Sequence, residues 1–299
     1  MNIVPVQFAR LAAALAGALL LWPATASAQV GADLNVSPKR VVFGPAGRSA
    51  TVYVFNQGDA PATYSVALVD RVMLDSGEII AIEDAQKNPA KAQAAAGVKS
   101  AKALITYTPR RVTLAPKTSQ LVRLRVLRPG DLAAGEYRTH LTVTAVPPED
   151  TGVTAEQAAG GLQPGEMQVR VVALFSLSIP VIVRQGPEDI RGSVENLSYE
   201  VRDVASPEGG APRKTGFVSL DLARLGANSL YGDVEVRGGA KNEIIGGVRG
   251  IGVYPEVARR RVTLQLQTLP RPGDVLTVNL KDDEVRPGAP IATGRLTVP

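Results

Sequence analysis

From Leu34 onward the chain is a succession of short apolar or alternating runs cut by Gly, Pro, Asn and Asp, and this rhythm limits most severely what it can fold into. Leu34–Phe43, Ala50–Phe55, Ala62–Leu68, Leu104–Leu114, Gln120–Leu127 and Tyr137–Val146 alternate at period two or are β-branched, as half-buried strands do. Turn signals such as Asn56-Gln57-Gly58-Asp59 separate them, and no long stretch carries a helical period. With Met167–Val183 these make about seven strands, which predicts an immunoglobulin-like sandwich. Strands resume beyond Arg184–Asp189, a compact linker by composition: Phe217–Leu222, Leu230–Val236, Ile245–Tyr254, Arg261–Gln267, Val275–Leu280 and Ile291–Val298 predict a second sandwich. The expected class is all-β, with an N-terminal domain over 29–185 and a C-terminal domain over 186–299.

Two stretches break the rhythm. Glu83–Lys102 is rich in Ala and Lys, and its Pro89 and Gly97 favour a loop with one helical patch. Pro147–Gly165 is a long low-order connection, the kind that tends to be functional or disordered. It leads into Met167–Val183, a strand-like run well beyond the usual ~10-residue limit. Val169, Val171, Ala173, Phe175 and Leu177 share one face of that run; Val172 and Leu174 stand on the other. Neither face is clearly the wet one, so something must cover the second apolar face. Without further information, the run could also bend between two sheets of one sandwich at Pro180.

Residues 1–28 read as an export signal: Arg10 flanks the apolar run Leu11–Trp22, and Ala26-Ser27-Ala28 is a small-residue cleavage site. Cysteine is absent, which removes disulfides, thiol nucleophiles and thiolate metal sites. The +5 formal charge is spread among 28 acidic residues with few aromatics, which leaves no nucleic-acid footprint. The single histidine, His140, sits inside a strand and reads more simply as a structural residue than as a general base. Asp282 and Asp283 fit no calcium-loop spacing, and the glycine pairs have no strand–glycine–helix context. No cofactor, metal or enzymatic activity is expected.

The ordered segments L-N-V-S-P-K-R-V-V-F, T-V-Y-V-F-N-Q-G-D-A-P, Y-T-P-R-R-V-T-L-A-P-K-T-S-Q-L-V-R-L and G-E-Y-R-T-H-L-T-V-T-A-V-P-P, followed by I-P-V-I-V-R, resemble the PapD-like periplasmic pilus chaperones. The match is weaker over the second domain, and the resemblance is to the non-classical branch. It implies two immunoglobulin-like domains in a boomerang arrangement, periplasmic localisation, pilus or fimbrial subunits as partners and an outer-membrane usher as a further one. It also implies that the long strand completes a subunit's fold by donor-strand complementation, with Val169, Val171, Ala173, Phe175 and Leu177 entering the subunit's groove. Val172 and Leu174 would then pack into the chaperone's own core, and a client-free chain could self-associate through the strand. Arg40 falls on the family's carboxylate-anchoring arginine, a cleft residue outside the core. The family's lysine position falls on Pro180, so a second cation is sought in Arg110 or Arg111. Glu136, Arg184 and either Asp282 or Asp283 match an interdomain ion-pair triad. The competing readings are a structural or adhesive surface sandwich, disfavoured by the scarcity of aromatics, and a hydrolase, disfavoured by the lack of a nucleophile–base pair.

Overall fold

In the computed structural model, residues 33–147, 174–205, 209–239 and 241–299 are described. Two β-sandwiches follow one another along the chain. The first packs a four-stranded sheet, in the order β1 (Leu34–Ser37), β3 (Ser49–Asn56), β9 (Ser119–Val126), β7 (Ile105–Thr108), on a five-stranded one. The second sheet runs β2 (Val41–Phe43), β11 (Ser176–Gln185), β10 (Gly135–Val146), β4 (Ala62–Val69), β8 (Arg111–Leu114). The inward residues expected from period-two alternation meet between the sheets: Val36, Val52, Val54, Tyr64, Leu124, Leu141, Val143 and Val181 are all buried there.

Two segments expected as single strands are each split at a proline. Leu34–Phe43 becomes β1 and β2, and Leu104–Leu114 becomes β7 and β8, with the halves in opposite sheets. Pro38 and Pro109 sit at the two crossings, where a residue without an N–H ends one ladder and lets the chain begin another.

The second sandwich pairs β12 (Gly192–Val204), β13 (Arg213–Arg224) and β16 (Arg259–Gln265) against β15 (Glu243–Val253), β14 (Leu230–Gly238), β17 (Val275–Asp282) and β18 (Pro290–Thr297). β12 was not anticipated. Its residues are exposed or half-buried throughout, and the irregularity between Glu195 and Ser198 puts its core-packed residues Val194, Leu197 and Tyr199 out of simple period two. Gly232 is needed where β14 meets β17, because a Cβ there would lie 1.8 Å from the Lys281 carbonyl oxygen.

The insertion after β4 is more ordered than expected. It holds a hairpin of β5 (Arg71–Met73) and β6 (Ile79–Ala81), then two short helices, Ile82–Gln86 and Pro89–Ala96. Pro89 and Gly97, which suggested a loop, are helix punctuation instead. Pro89 occupies the first turn, where its missing N–H costs nothing; Asn88 caps it by accepting from the Ala90 amide at 3.0 Å, and Gly97 closes the end. Val72, Ala85 and Ala95 form this insertion's own small core.

The two sandwiches share apolar packing. Ile182, on the outward face of β11, and Met73, from the hairpin, are buried within the second domain's core, with Val42 packed beside them. The hairpin also reaches β16, where the Arg261 amide donates to the Asp75 carbonyl at 2.9 Å. Among the described residues no helix is long and apolar enough to cross a membrane.

Candidate functional site

The outward face of the five-stranded sheet carries most of the buried charge. Successive even-numbered residues of β10, namely Glu136, Arg138, His140 and Thr142, project from it and are all buried. Beside them β11 presents Ser178, Pro180, Ile182 and Arg184. A solvated face of an antiparallel sheet would not hold such a column; here the second domain and the β5–β6 hairpin lie over it.

The first ion cluster joins the domains around Arg184, whose side chain is 1% exposed. Its Nε donates to Glu136 Oε2 at 3.1 Å. Its Nη1 lies 2.9 Å from Glu284 Oε1, an ion-pair contact without hydrogen-bond alignment. Glu136 Oε2 also accepts from the Ser229 amide at 3.0 Å and its hydroxyl at 3.1 Å. Thus Glu136 and Arg184 pair as expected, but the third member is Glu284. Asp282 is buried and accepts from the amides of Glu284 (2.8 Å), Val285 (3.1 Å) and Arg286 (2.8 Å), capping the turn that presents Glu284. Asp283 is exposed and forms no ion pair among the described residues. The longer glutamate arm reaches Arg184, while the aspartate carboxylate is consumed by its own turn.

Arg40 belongs to the same cluster. Its Nε and Nη2 donate to Glu284 Oε2 at 3.2 and 2.9 Å, Nη1 to the Tyr254 hydroxyl at 3.2 Å and Nη2 to Ser229 Oγ at 3.1 Å. The guanidinium stacks over the rings of Tyr231 and Tyr254, 4.4 and 5.5 Å from their centroids. Burial opposes its charge, yet Tyr254, Glu284 and Glu136 more than offset this, so its pKa is raised above the ordinary arginine value. The expectation of an open anchor outside the core is therefore corrected: Arg40 already holds a carboxylate of its own chain, because Glu284 arrives on the loop after β17.

A second cluster was not foreseen. Arg138 donates from Nη1 and Nη2 to both oxygens of Glu256, at 3.0 and 2.5 Å, and from Nη2 to the Arg71 carbonyl at 2.9 Å. Glu256 Oε1 also accepts from the Met73 amide at 2.8 Å, and Tyr254 lies under the Arg138 guanidinium at 3.8 Å. Both partners of this bidentate pair are nearly fully buried. His140 follows on the same face. It is 2% exposed, and neither ring nitrogen has a partner among the described residues. Burial first, then the charges of Arg138, Arg71 and Arg40, push its pKa down to about 3, so it is neutral at physiological pH.

Arg110 and Arg111 stand apart from this region. Both are exposed; Arg110 lies over the Tyr107 ring at 5.4 Å, and Arg111 begins β8. In the five-stranded sheet β8 is four strand spacings from β2, roughly 19 Å at ~4.8 Å each. Neither arginine can share a carboxylate with Arg40.

The long strand is described from Leu174. Val169, Val171, Ala173 and Val172 lie outside the described residues. Leu174 is 53% exposed and Phe175 39% exposed. The expectation that Leu174 enters the first core is thus corrected, as is the assignment of Leu177 to a partner-facing side. Leu177 packs against the first core together with Ile179, Val181 and Val183, because odd-numbered residues of β11 face inward. β11 pairs with β10 over its whole length, but with β2 only at Val181–Val183, in parallel. The Ala145 amide donates to the Phe175 carbonyl at 3.0 Å, so odd residues bond toward β10 and even ones point to the other edge. The amides and carbonyls of Ser176 and Ser178 therefore line an edge that no described strand occupies. Pro180, without an N–H, stands where that open edge gives way to β2.

No family model matches the chain, and no curated protein matches it. Among solved structures, the chain is similar to the Escherichia coli chaperone DraB, with 14% identity and a TM-score of 0.41 over 89% of this chain and 96% of that one. It is similar to the Pseudomonas aeruginosa CupB2 chaperone at 13% identity and a TM-score of 0.40, over 89% and 100% of the two chains. A chain of the CsuC–CsuE chaperone–tip adhesion subunit pre-assembly complex, from the archaic chaperone-usher Csu pili of Acinetobacter baumannii, is similar at 11% identity and a TM-score of 0.40, over 89% and 97%.

Proposed function

We propose that the protein is a non-enzymatic periplasmic chaperone that binds pilus or fimbrial subunits by strand addition and passes them to an outer-membrane usher. The observation that carries this reading is the half-paired β11: Ser176–Pro180 is bonded on the β10 side only, and Leu174 and Phe175 stand exposed beside it. An edge of this kind is a template for an incoming strand, and exposed apolar side chains next to it supply the groove-filling contacts that main-chain pairing lacks. Met167–Ala173, the segment expected to lead into this strand, lies outside the described residues. The ordered sequence resemblance to PapD-like chaperones supports the same partner class.

The test is co-expression of the full-length protein, with its signal, beside a pilus subunit lacking its own final strand, followed by capture from the periplasm. Co-purification of the subunit with the wild type and its loss with Phe175→Asp would support strand donation. Equal capture by wild type and Phe175→Asp would place binding elsewhere, and no capture at all would sink the chaperone reading.

A further inference from the structure

At the far pole of the second domain the chain of β16 leaves its sheet. The Leu266 amide donates to the Gly216 carbonyl of β13 at 2.8 Å, but the next amide, that of Gln267, donates to Ile245 of the opposite sheet at 2.7 Å. β13 starts three residues earlier than this last bond, so Arg213–Thr215 pairs with β12 alone. Backbone groups alternate sides along a strand, and Gly216 bonds toward β16; the Lys214 N–H and C=O therefore point to the side that β16 has left. Between this bare edge and the departing chain lies a cavity of about 420 Å³, a volume in the range of small-molecule sites.

The walls are of two kinds. Val204, Leu266 and Leu269 supply apolar surface, and Leu269 is 49% exposed. Arg213 and Lys214 supply two cations, both exposed. Neither forms an ion pair among the described residues, although Asp203 stands opposite Lys214 on β12. None of the described lining residues is acidic. A further polar group is close by: the Tyr199 hydroxyl is buried without a partner among the described residues, and a Cβ on Gly216 would lie 3.2 Å from it. Gly216 is itself part of the lining and, having no side chain, leaves the space over that hydroxyl open. An edge amide, an orphaned hydroxyl and two unpaired cations set against apolar walls are the complement of an amphipathic anion.

We propose that this cavity binds a small anionic amphiphile, a carboxylate carried on a short apolar chain. The head accepts from the Lys214 amide and from the Arg213 and Lys214 side chains, and the apolar chain lies along Leu266 and Leu269. From Gly216 to Arg224, whose Nη2 donates to the Pro255 carbonyl beside Glu256, β13 runs roughly 26 Å at ~3.3 Å per residue. The site thus lies well away from the interdomain clusters and from β11, and it does not depend on strand addition.

Octanoate is the probe, titrated into the full-length protein and followed by isothermal calorimetry at constant ionic strength. Saturable one-to-one binding is expected. Acetate lacks the chain and octanol lacks the charge, and each should bind roughly tenfold more weakly or worse. Lys214→Gln should weaken octanoate roughly tenfold, the usual consequence of losing a charge-assisted contact. Leu269→Asp sets a like charge in the apolar wall and should abolish the binding heat. Both positions are exposed, so melting temperatures should stay at the wild-type value and show that the fold is kept. Arg249→Gln, at an exposed arginine outside the cavity, should bind as the wild type does. The proposal is overturned if the wild type gives no saturable heat, if acetate or octanol matches octanoate, or if Lys214→Gln and Leu269→Asp bind like the wild type. Capture by phosphatidylglycerol vesicles with no response to octanoate overturns it too, since the pole would then contact a lipid surface rather than enclose a small ligand.

Discussion

The two halves of β11 are one strand under two regimes. From Val181 to Val183 it is paired on both sides, Val181 and Val183 lie in the first core, and Ile182 and Arg184 are sealed beneath the second domain. From Ser176 to Pro180 it keeps β10 alone, and just before it Leu174 and Phe175 face solvent. The same backbone conformation is a structural beam in one half and an unfinished sheet in the other. What differs is the company the strand keeps, which composition along the strand does not reveal.

The contrast predicts a steep gradient of mutational cost along β11. Arg184→Ala leaves Glu136 buried without its cation and should destabilise the protein by about 3–5 kcal/mol, measured by urea unfolding. A loss below about 1 kcal/mol would mean the cluster is not sealed. Leu177→Asp, on the inward face at the open half, should cost about 2 kcal/mol, because it sets a carboxylate against the first core. His140, beside the boundary at Pro180, supplies a pH-dependent test. Its folded pKa of about 3 lies below the ordinary 6.5, so as pH falls the unfolded chain takes the proton first. Its contribution is complete above about 6.5 and is lost between there and about 3, at up to about 1.4 kcal/mol per pH unit. Melting temperatures at pH 5 and pH 7 should therefore diverge in the wild type, and His140→Leu should reduce the difference. A divergence unchanged in His140→Leu would assign it to other groups. Smallest of all, Phe175→Asp should shift stability by less than about 0.5 kcal/mol, the surface range. If Phe175→Asp unfolds the protein as badly as Leu177→Asp, the two halves are not different after all.

Much of the scaffold was legible because burial imposes period two. Val52, Val54, Val122, Leu124, Leu141 and Val143 could be placed in a core from alternation alone. The two sheet crossings were less legible: Pro38 and Pro109 were visible, but not that the chain would change sheets at them. β12 escaped because the irregularity between Glu195 and Ser198 breaks the alternation of its core-packed Val194, Leu197 and Tyr199. Within the charge clusters, Glu136 and Arg184 were found because they flank strand ends in recognisable segments. Choosing Glu284 over its neighbours Asp282 and Asp283 required knowing which carboxylate its own turn would consume. Arg138 and Glu256 lie far apart in sequence, and no local signal links them.

The burial of Ile182 and Met73 in the second domain's core has a thermodynamic consequence. The second sandwich lacks part of its interior without the first, and on the first these side chains would meet water if the domains came apart. Separation would also strip the Arg138–Glu256 pair of its enclosure. Neither domain is therefore a free-standing stability unit. Heating should melt the molecule in one all-or-none transition, with calorimetric and van't Hoff enthalpies equal, and the chain should behave in solution as a single rigid body rather than two beads on a tether.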